Sequence, residues 1–272
     1  MYVEYIDHLL KDHATCKPHG LITFRSYLIQ DGAWHHRQWI LERMQGNYQS
    51  ELDLCRLFLL EDQRNFHCWC YRRLVVQIGD IQPKDEFDFS TEKIDENFSN
   101  YSAYHHRSVY IQKLGIRSKD VIETEFSIIE NAIYTEPDDQ SSWWYHQFLL
   151  TWMSQQHQNN GDEKLSEADW SSWYQSILEK QIKVMEALLE VEPSSKWAMC
   201  SLTMMLGLIL NLFCEENSVI VPDSGVHSTV DLLSERRQTL LTILCEVDPF
   251  HANRYKYLRR KKYAICISVN VL

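Results

Sequence analysis

The sequence predicts an all-α fold, an αα superhelix in which helical hairpins stack into a solenoid, and three observations support that prediction. The pattern Asn-aromatic-x-x-aromatic-x-x-Arg begins at Asn65 and again at Asn100, and a repeat of about 35 residues is typical of helical arrays. Only 8 Gly and 6 Pro occur in 272 residues, which is too few for a turn-rich β sandwich or barrel. Apolar helical segments end in acid-proline pairs at Glu136, Glu192 and Asp248, and proline cannot continue a helix.

Each copy of the repeat predicts one helix with an aromatic residue near its start and a polar residue, usually arginine, one turn later. Asn65 and Asn100 stand four residues before the aromatic residue, so each is predicted to cap the first turn of its helix. The arginines are expected to stack on an aromatic ring or to pair with an acidic residue of the repeat. The repeat positions are Trp34 and Arg37, then Asn65, Trp69 and Arg72, then Asn100, Tyr101, Tyr104 and Arg107, and finally Trp144 in a weaker fourth copy.

Three segments are expected along the chain. Residues 1–31 form an irregular or incomplete unit, residues 32–263 form the repeat array, and residues 264–272 form a tail. Within the array, the pattern predicts long helices at 167–191 and 251–263. Polar stretches at 154–164 and 217–228 predict exposed loops.

One apolar segment has to be weighed as a membrane span. Residues 197–214 contain no charged residue and approach the minimum length for a transmembrane helix. Ser201, Thr203 and Asn211 interrupt the segment, and it lies inside a helical repeat pattern whose central helices are expected to be buried on all sides. The sequence therefore favours a core helix, and no membrane span is predicted.

Composition limits the partners and the compartment. The formal net charge of −11 gives no electrostatic reason to bind nucleic acid. The 8 cysteines lack the spacing of a disulfide framework, and the first residues do not resemble a signal peptide. A reducing, cytoplasmic location is expected.

The residues do not predict a catalytic centre. Adjacent histidines such as His35 and His36 point about 100° apart on a helix, and no cysteine or histidine pair has the spacing of a tetrahedral zinc site. No glycine-rich phosphate loop and no nucleophile elbow is present. Taken alone, the residues predict a soluble helical solenoid that binds another protein, with no metal and no cofactor in this chain.

Three stretches resemble the α-subunit repeats of protein prenyltransferases, and within that family the α subunits of Rab geranylgeranyltransferases. The stretches are residues 61–73, 96–108 and 136–150, and the resemblance extends over about residues 32–263. It implies a crescent-shaped, right-handed solenoid wrapped around a separate β subunit. In the resembling enzymes the β subunit holds zinc and geranylgeranyl diphosphate, and the lipid is transferred to C-terminal cysteines of Rab GTPases presented by the Rab escort protein.

The resemblance also implies roles for particular residues. Phe66 and His67 match an aromatic-His pair at the rim of the active site, whereas this chain is expected to supply no catalytic residue. The rim lysine and tyrosine of the family fall at Ile29 and Asp31 here, so both are replaced. Two alternatives therefore stay open: the α subunit shared by farnesyl and type-1 geranylgeranyl transferases, and a non-catalytic scaffold built from the same repeats.

Overall fold

The computed structural model of the protein describes residues 31–43, 47–116, 118–158, 167–217 and 224–260. Those ranges contain helices and no β-strand, so the all-α prediction is confirmed. The α-helices are α1 Asp31–Arg43, α2 Tyr48–Glu61, α3 Phe66–Ile78, α4 Pro83–Glu96, α5 Tyr101–Lys113, α6 Lys119–Thr135, α7 Gln140–Gln158, α8 Glu167–Val191, α9 Lys196–Asn217, α10 Ser224–Val247 and α11 Ala252–Arg260. A 3₁₀ turn, Pro249–His251, precedes α11.

The chain divides into two compact units, residues 1–115 and 116–272. In the first unit α1 and α2 both pack on α3, and α4 packs on α5. In the second unit α6 packs on α7, α7 also contacts α8 and α9, and the succession continues from α8 through α11. The expected division into 1–31, 32–263 and 264–272 stays a prediction, and residues 1–30, including Ile29, and 261–272 lie outside the described ranges.

The predicted helix caps are confirmed. The side-chain oxygen of Asn65 accepts a hydrogen bond from the backbone N–H of Cys68 at 2.9 Å, and that of Asn100 accepts from Ala103 at 3.2 Å. Asn47 caps α2 in the same way. The acid-proline pairs also lie where the pattern places them, directly after the last residues of α6, α8 and α10.

Buried aromatic residues occupy the start of each repeat helix, but the fourth copy is displaced by one residue. Trp69 is buried and its indole Nε1 donates to the Gln63 carbonyl six residues earlier, at 2.9 Å. Trp143 is also buried and donates to the Pro137 carbonyl, again six residues earlier, at 2.7 Å. Trp143 therefore occupies the repeat position that the sequence pattern assigned to Trp144, because α6 has 17 residues where α4 has 14, and the distance from one repeat aromatic residue to the next changes.

A buried carboxylate joins each repeat helix of the first unit to its neighbours. Arg72 donates two hydrogen bonds to Glu86, at 2.6 and 2.8 Å, and both side chains are buried. The ring of His106 donates to the same carboxylate at 2.8 Å. The pair Arg37 and Glu51 repeats this contact 35 residues earlier, at 2.6 and 2.8 Å.

The phenol of Tyr71 completes the earlier copy, because it donates to Glu51 at 2.8 Å as His106 donates to Glu86. In the second unit Tyr145 donates to Glu125 at 2.7 Å with the same separation of 20 residues. The acceptors Glu51, Glu86 and Glu125 thus form a set that we call the repeat acids. Glu51 and Glu86 satisfy the expectation that an arginine of the repeat pairs with an acid.

Arginine stacking is also confirmed, although the rings belong to the neighbouring helix α4 rather than to the repeat tryptophans. The guanidinium of Arg72 lies 3.5 Å from the ring centroid of Phe89, and that of Arg107 lies 3.9 Å from the ring of Phe87. Arg107 also donates to the hydroxyl of Thr91 at 2.7 Å. These arginines are buried and serve packing within the first unit.

The predicted ends of several segments need correction. The helix predicted at 167–191 is confirmed as α8, but α7 continues to Gln158 and α10 begins at Ser224, so parts of both predicted loops are helical. Gln and Ser are acceptable helix residues, and the buried Trp152 and Met153 fix the turn from which α7 continues. The helix predicted at 251–263 is α11, which begins at Ala252 and is described to Arg260.

The apolar helix α9 is a core helix of the second unit. Its residues 196–213 are long and apolar enough to cross a membrane, but 72% of them are buried within the protein. Residues 201–210 are all buried, in contact with α7, α8 and α10. Burial on every side accounts for the absence of a polar face.

A second buried histidine lies at the centre of the second unit. His146 donates from Nε2 to the amide oxygen of Gln181 at 3.1 Å and accepts from the hydroxyl of Ser201 at 3.0 Å. Burial lowers the pKa of His146 to about 4, against the hydrogen bond to Gln181, and burial likewise lowers the pKa of His106 to about 4, against its contact with Glu86. Both rings are therefore neutral in the folded protein near pH 7.

Acidification is expected to destabilise the protein as the pH falls from about 6.5 to about 4. The folded protein keeps His106 and His146 neutral in this window, whereas an unfolded chain protonates its imidazoles near pH 6.5. The unfolded state then binds more protons, and the free energy of unfolding falls by on the order of 3 kcal/mol for each histidine. Urea unfolding midpoints near pH 7.5, 6 and 5 measure the loss.

Variants at the two buried histidines separate the contribution of each ring to the pH dependence of stability. His106→Gln and His146→Gln retain an amide N–H that can donate, but they have no proton to gain, so each is expected to flatten the pH dependence. His35→Gln, at an exposed position of α1, serves as the control and should leave it unchanged. A pH dependence equally steep in all four proteins would contradict the assignment.

Removing one member of the buried ion pair is expected to be costly. Arg72→Met leaves the Glu86 carboxylate buried with only His106 as a charge-assisted partner, so the free energy of unfolding should fall by about 3–5 kcal/mol. Arg56 and Glu92 offer a matched control, because they join the same two hairpins in a half-exposed position. Arg56→Met should cost less than about 1 kcal/mol, and equal losses for the two variants would contradict the role of burial.

Candidate partner-binding face

In the first unit, the side of α3 and α5 that faces solvent carries aromatic and polar side chains. Phe66 is 68% exposed and Tyr101 is 43% exposed, and the two residues follow the caps Asn65 and Asn100 directly. Cys70 and Arg73 follow Phe66 at the i+4 and i+7 positions of α3, so the three share one side of the helix. We call the set Phe66, His67, Cys70, Arg73, Tyr101 and His105 the α3/α5 face.

Contacts between its side chains hold the α3/α5 face together. Arg73 donates to the Cys70 thiol at 3.2 Å and to Nδ1 of His105 at 3.3 Å, and so it connects the two helices. The rings of Tyr101 and His105 stack at a centroid distance of 6.2 Å. The edge of one ring meets the face of the other in the pair Phe66 and His67, at 5.6 Å.

The electrostatics of this face are set by Arg73. Burial, and secondarily the positive charge of Arg73, lower the pKa of His105, so its ring is neutral at pH 7 and can accept from the guanidinium. The hydrogen-bond donor to the Cys70 thiol is the same arginine, and not an imidazole that could act as a base. A neutral imidazole, a guanidinium and exposed rings are chemistry for recognition, since aromatic residues and arginine are enriched in protein interfaces.

The second unit presents a cavity at positions that correspond to the α3/α5 face. Trp144 of α7 lies one residue after the repeat tryptophan, as Cys70 follows Trp69, and it is half-buried. It lines a cavity of about 220 Å³ whose walls come from α7, α9, the 3₁₀ turn and α11. We call this the α7/α9/α11 cavity.

The predicted site residues divide into two groups. Most of them are internal and structural, namely Trp34, Arg37, Asn65, Trp69, Arg72, Asn100, Tyr104 and Arg107. Four of them, Phe66, His67, Tyr101 and Trp144, are exposed or half-buried. Their roles at a rim or an interface stay predictions.

Sequence reasoning missed the repeat acids and several members of the surface groups. Glu51 and Glu86 lie 35 residues apart, so the repeat period could have identified them. Cys70 and His105 each lie one residue after the aromatic residue of their repeat, so the period could have identified them too, whereas the contacts of Arg73 with both depend on packing. Within the described part of the chain, no group of three or more His, Cys, Asp and Glu side chains could hold a metal ion.

Comparison with known proteins gives the family. The model for the protein prenyltransferase alpha subunit repeat matches residues 48–78, 83–114 and 122–153, which are the hairpins α2/α3, α4/α5 and α6/α7. The chain is 33% identical over 241 residues to the geranylgeranyl transferase type-2 subunit alpha of Dictyostelium discoideum, with 87% of this chain and 66% of that protein covered. The Saccharomyces cerevisiae protein of the same name is 30% identical, with 83% and 66% covered.

Mammalian relatives match a shorter region more strongly. The geranylgeranyl transferase type-2 subunit alpha of Bos taurus is 43% identical over 129 residues, which are 44% of this chain and 23% of that protein. The chain therefore matches about a quarter of the length of the mammalian relatives and about two thirds of the other two.

Alanine substitutions at Phe66 and His67 are expected to have little effect on stability. Phe66→Ala and His67→Ala should each change the free energy of unfolding by no more than about 0.5 kcal/mol, because Phe66 is exposed and His67 is only partly buried. Trp69→Ala, three residues along α3, is the buried control and should cost about 3–5 kcal/mol. Urea unfolding of the three variants decides the matter, and a loss above about 1 kcal/mol for Phe66→Ala would show that its ring serves packing.

Proposed function

Because the chain belongs to the protein prenyltransferase alpha subunit repeat family, we propose that it is the α subunit of a heterodimeric type-2, or Rab, geranylgeranyltransferase. The observation that carries the proposal is the 33% identity over 241 residues to a type-2 subunit alpha, which extends across both units of the fold. The reaction of the heterodimer is transfer of geranylgeranyl from its diphosphate to C-terminal cysteine thiols of Rab GTPases.

The two subunits of this enzyme have different roles. The β subunit contributes the zinc that activates the acceptor thiol, together with the cavity for the lipid, and the chain described here contributes a helical frame. No group of side chains in the described ranges fits zinc, and we assign no step of the transfer to a metal held by this chain. The Rab GTPase is delivered by the Rab escort protein.

The positions of its polar contacts suit this chain to the role of a helical frame. The repeat acids accept hydrogen bonds from arginine, tyrosine and histidine side chains of neighbouring helices, so the helices keep a fixed register. The α3/α5 face is left with exposed rings on a rigid support. Phe66 and His67 are our candidates for the rim of the active site, where they would border the opening of the β subunit.

A second function is favoured by one observation in the sequence. The rim lysine and tyrosine of the family are replaced by Ile29 and Asp31, so a repeat scaffold that binds a β subunit without supporting transfer is the alternative. Both functions share the heterodimer and differ in the transfer step.

Co-expression with type-2 β subunits tests the proposal. We expect a 1:1 heterodimer on size-exclusion chromatography, and incorporation of radiolabelled geranylgeranyl into a Rab GTPase when the escort protein is present. Failure to form a heterodimer with any β subunit would falsify the proposal. Prenylation of short peptides ending in a CaaX sequence, without an escort protein, would instead identify the α subunit shared by the farnesyl and type-1 enzymes.

The transfer assay separates the two functions within an intact heterodimer. Transfer by the heterodimer supports the enzyme subunit, and no transfer supports the scaffold. Phe66→Ala and His67→Ala should reduce transfer while leaving the heterodimer intact, and Lys180→Ala, at an exposed position of α8, provides the surface control.

A further inference from the structure

The α7/α9/α11 cavity lies wholly within the second unit, where the three alternate helices α7, α9 and α11 begin. Gln140 is the first residue of α7 and Lys196 is the first residue of α9. His251, at the end of the 3₁₀ turn that leads into α11, completes the opening. The cavity is therefore framed by the first turns of helices that follow one another in the repeat.

Its size limits what can occupy it. Small-molecule and cofactor sites usually have volumes of about 300–1,000 Å³. The volume here is about 220 Å³, which accommodates one or two amino-acid side chains. A side chain of a partner protein fits the cavity better than a cofactor does.

The walls combine apolar rings with positive charge. Trp144 and Trp197 are half-buried and present ring surface, and the ammonium of Lys196 lies 5.2 Å from the ring centroid of Trp197. Arg254 contributes a guanidinium from α11. An occupant with an apolar stem and a charged end is complementary to such walls.

The sign of the net charge of the cavity lining depends on how many acidic residues the lining contains. Asp248 is the one acidic residue among the lining residues that the structure describes, and its carboxylate accepts hydrogen bonds from the Tyr255 hydroxyl at 2.7 Å and from His251 at 2.8 Å. Although burial alone would raise it, these two hydrogen bonds hold the pKa of Asp248 below its ordinary value. Lys196 and Arg254 therefore give the described lining residues a net positive charge in a chain whose net charge is −11.

An exposed aromatic residue beside the cavity points to a protein as the partner. Phe250 is 91% exposed, and its ring meets the ring of the lining residue His251 at 4.9 Å. An exposed aromatic ring beside a lined cavity suits a protein partner, since aromatic residues are enriched in protein interfaces.

We propose that the α7/α9/α11 cavity receives an acidic side chain, Asp or Glu, of the β subunit, whose carboxylate pairs with Lys196 and Arg254. The stem of that side chain packs against Trp144 and Trp197, and Phe250 packs on the partner beside it. This inference rests on the proposed function, since it takes the β subunit as the partner, and it adds the chemistry by which the second unit recognises that subunit.

Charge reversal tests the proposal in the full-length chain. The dissociation constant for a type-2 β subunit is measured by biolayer interferometry for the wild type and for the double variant Lys196→Glu/Arg254→Glu. We expect binding to weaken by about 30-fold or more, because the carboxylate would meet two like charges. The matched control is Lys183→Glu/Arg260→Glu, two exposed positions of the same unit outside the cavity, which should change binding by less than about 3-fold.

Circular dichroism shows whether each variant is folded. A milder variant is also prepared, so that the test still gives an answer if the charge-reversed protein does not fold. If the charge-reversed protein does not fold, Lys196→Gln/Arg254→Gln, which removes the positive charges without introducing negative ones, is expected to weaken binding about 10-fold. Either variant should also reduce the dependence of the dissociation constant on salt concentration, because the pair it removes is electrostatic. Wild-type affinity and an unchanged salt dependence in a folded variant would overturn the inference and leave the proposed function standing.

Photo-crosslinking identifies the occupant. A benzoylphenylalanine introduced at Gln147, a half-buried lining residue, should crosslink to a β-subunit peptide that contains Asp or Glu. A crosslink to a peptide without an acidic residue, or no crosslink in a heterodimer that forms, would overturn the inference. Failure of the wild-type chain to bind any β subunit would instead sink the proposed function, and this inference with it.

Discussion

A buried carboxylate that receives donors from two neighbouring helices is the contact on which the first unit depends. The Glu86 carboxylate is buried away from water, and as an isolated charge in the protein interior it would be very unfavourable. Two hydrogen bonds from Arg72 and one from His106 compensate that cost, and they can do so only when α3, α4 and α5 keep one register. Glu51 imposes the same condition one repeat earlier, through Arg37 and Tyr71.

The exposed surface follows from that internal arrangement. Since α3 turns Trp69 and Arg72 inward, Phe66 and Arg73 lie on the side that faces solvent, and α5 presents Tyr101 by the same rule. Recognition therefore does not require flexible loops, because the side chains lie on helices whose orientation is fixed by buried pairs. A frame of this kind suits a subunit whose task is to hold a partner, and it carries the proposal that catalysis is completed by a β subunit.

Charge distinguishes the two surfaces described for the two units. In the α3/α5 face a guanidinium is shared between a thiol and a neutral imidazole. In the α7/α9/α11 cavity the described lining residues include two cations, Lys196 and Arg254, and one carboxylate, Asp248, which accepts from Tyr255 and His251. An acidic protein with a local positive cavity can select a partner by sign as well as by shape.

The sequence by itself determined the all-α class, the caps at Asn65 and Asn100 and the family, because these depend on spacing along the chain and on local backbone chemistry. It also predicted α8 correctly, but it placed the fourth repeat at Trp144 rather than Trp143, since the longer helix α6 breaks the period that would tell the two adjacent tryptophans apart. Only the tertiary structure decided which acids accept from the repeat arginines, and which side chains of α7, α9 and α11 enclose a cavity. Those contacts join residues 14 to more than 100 positions apart, and their geometry comes from packing between helices.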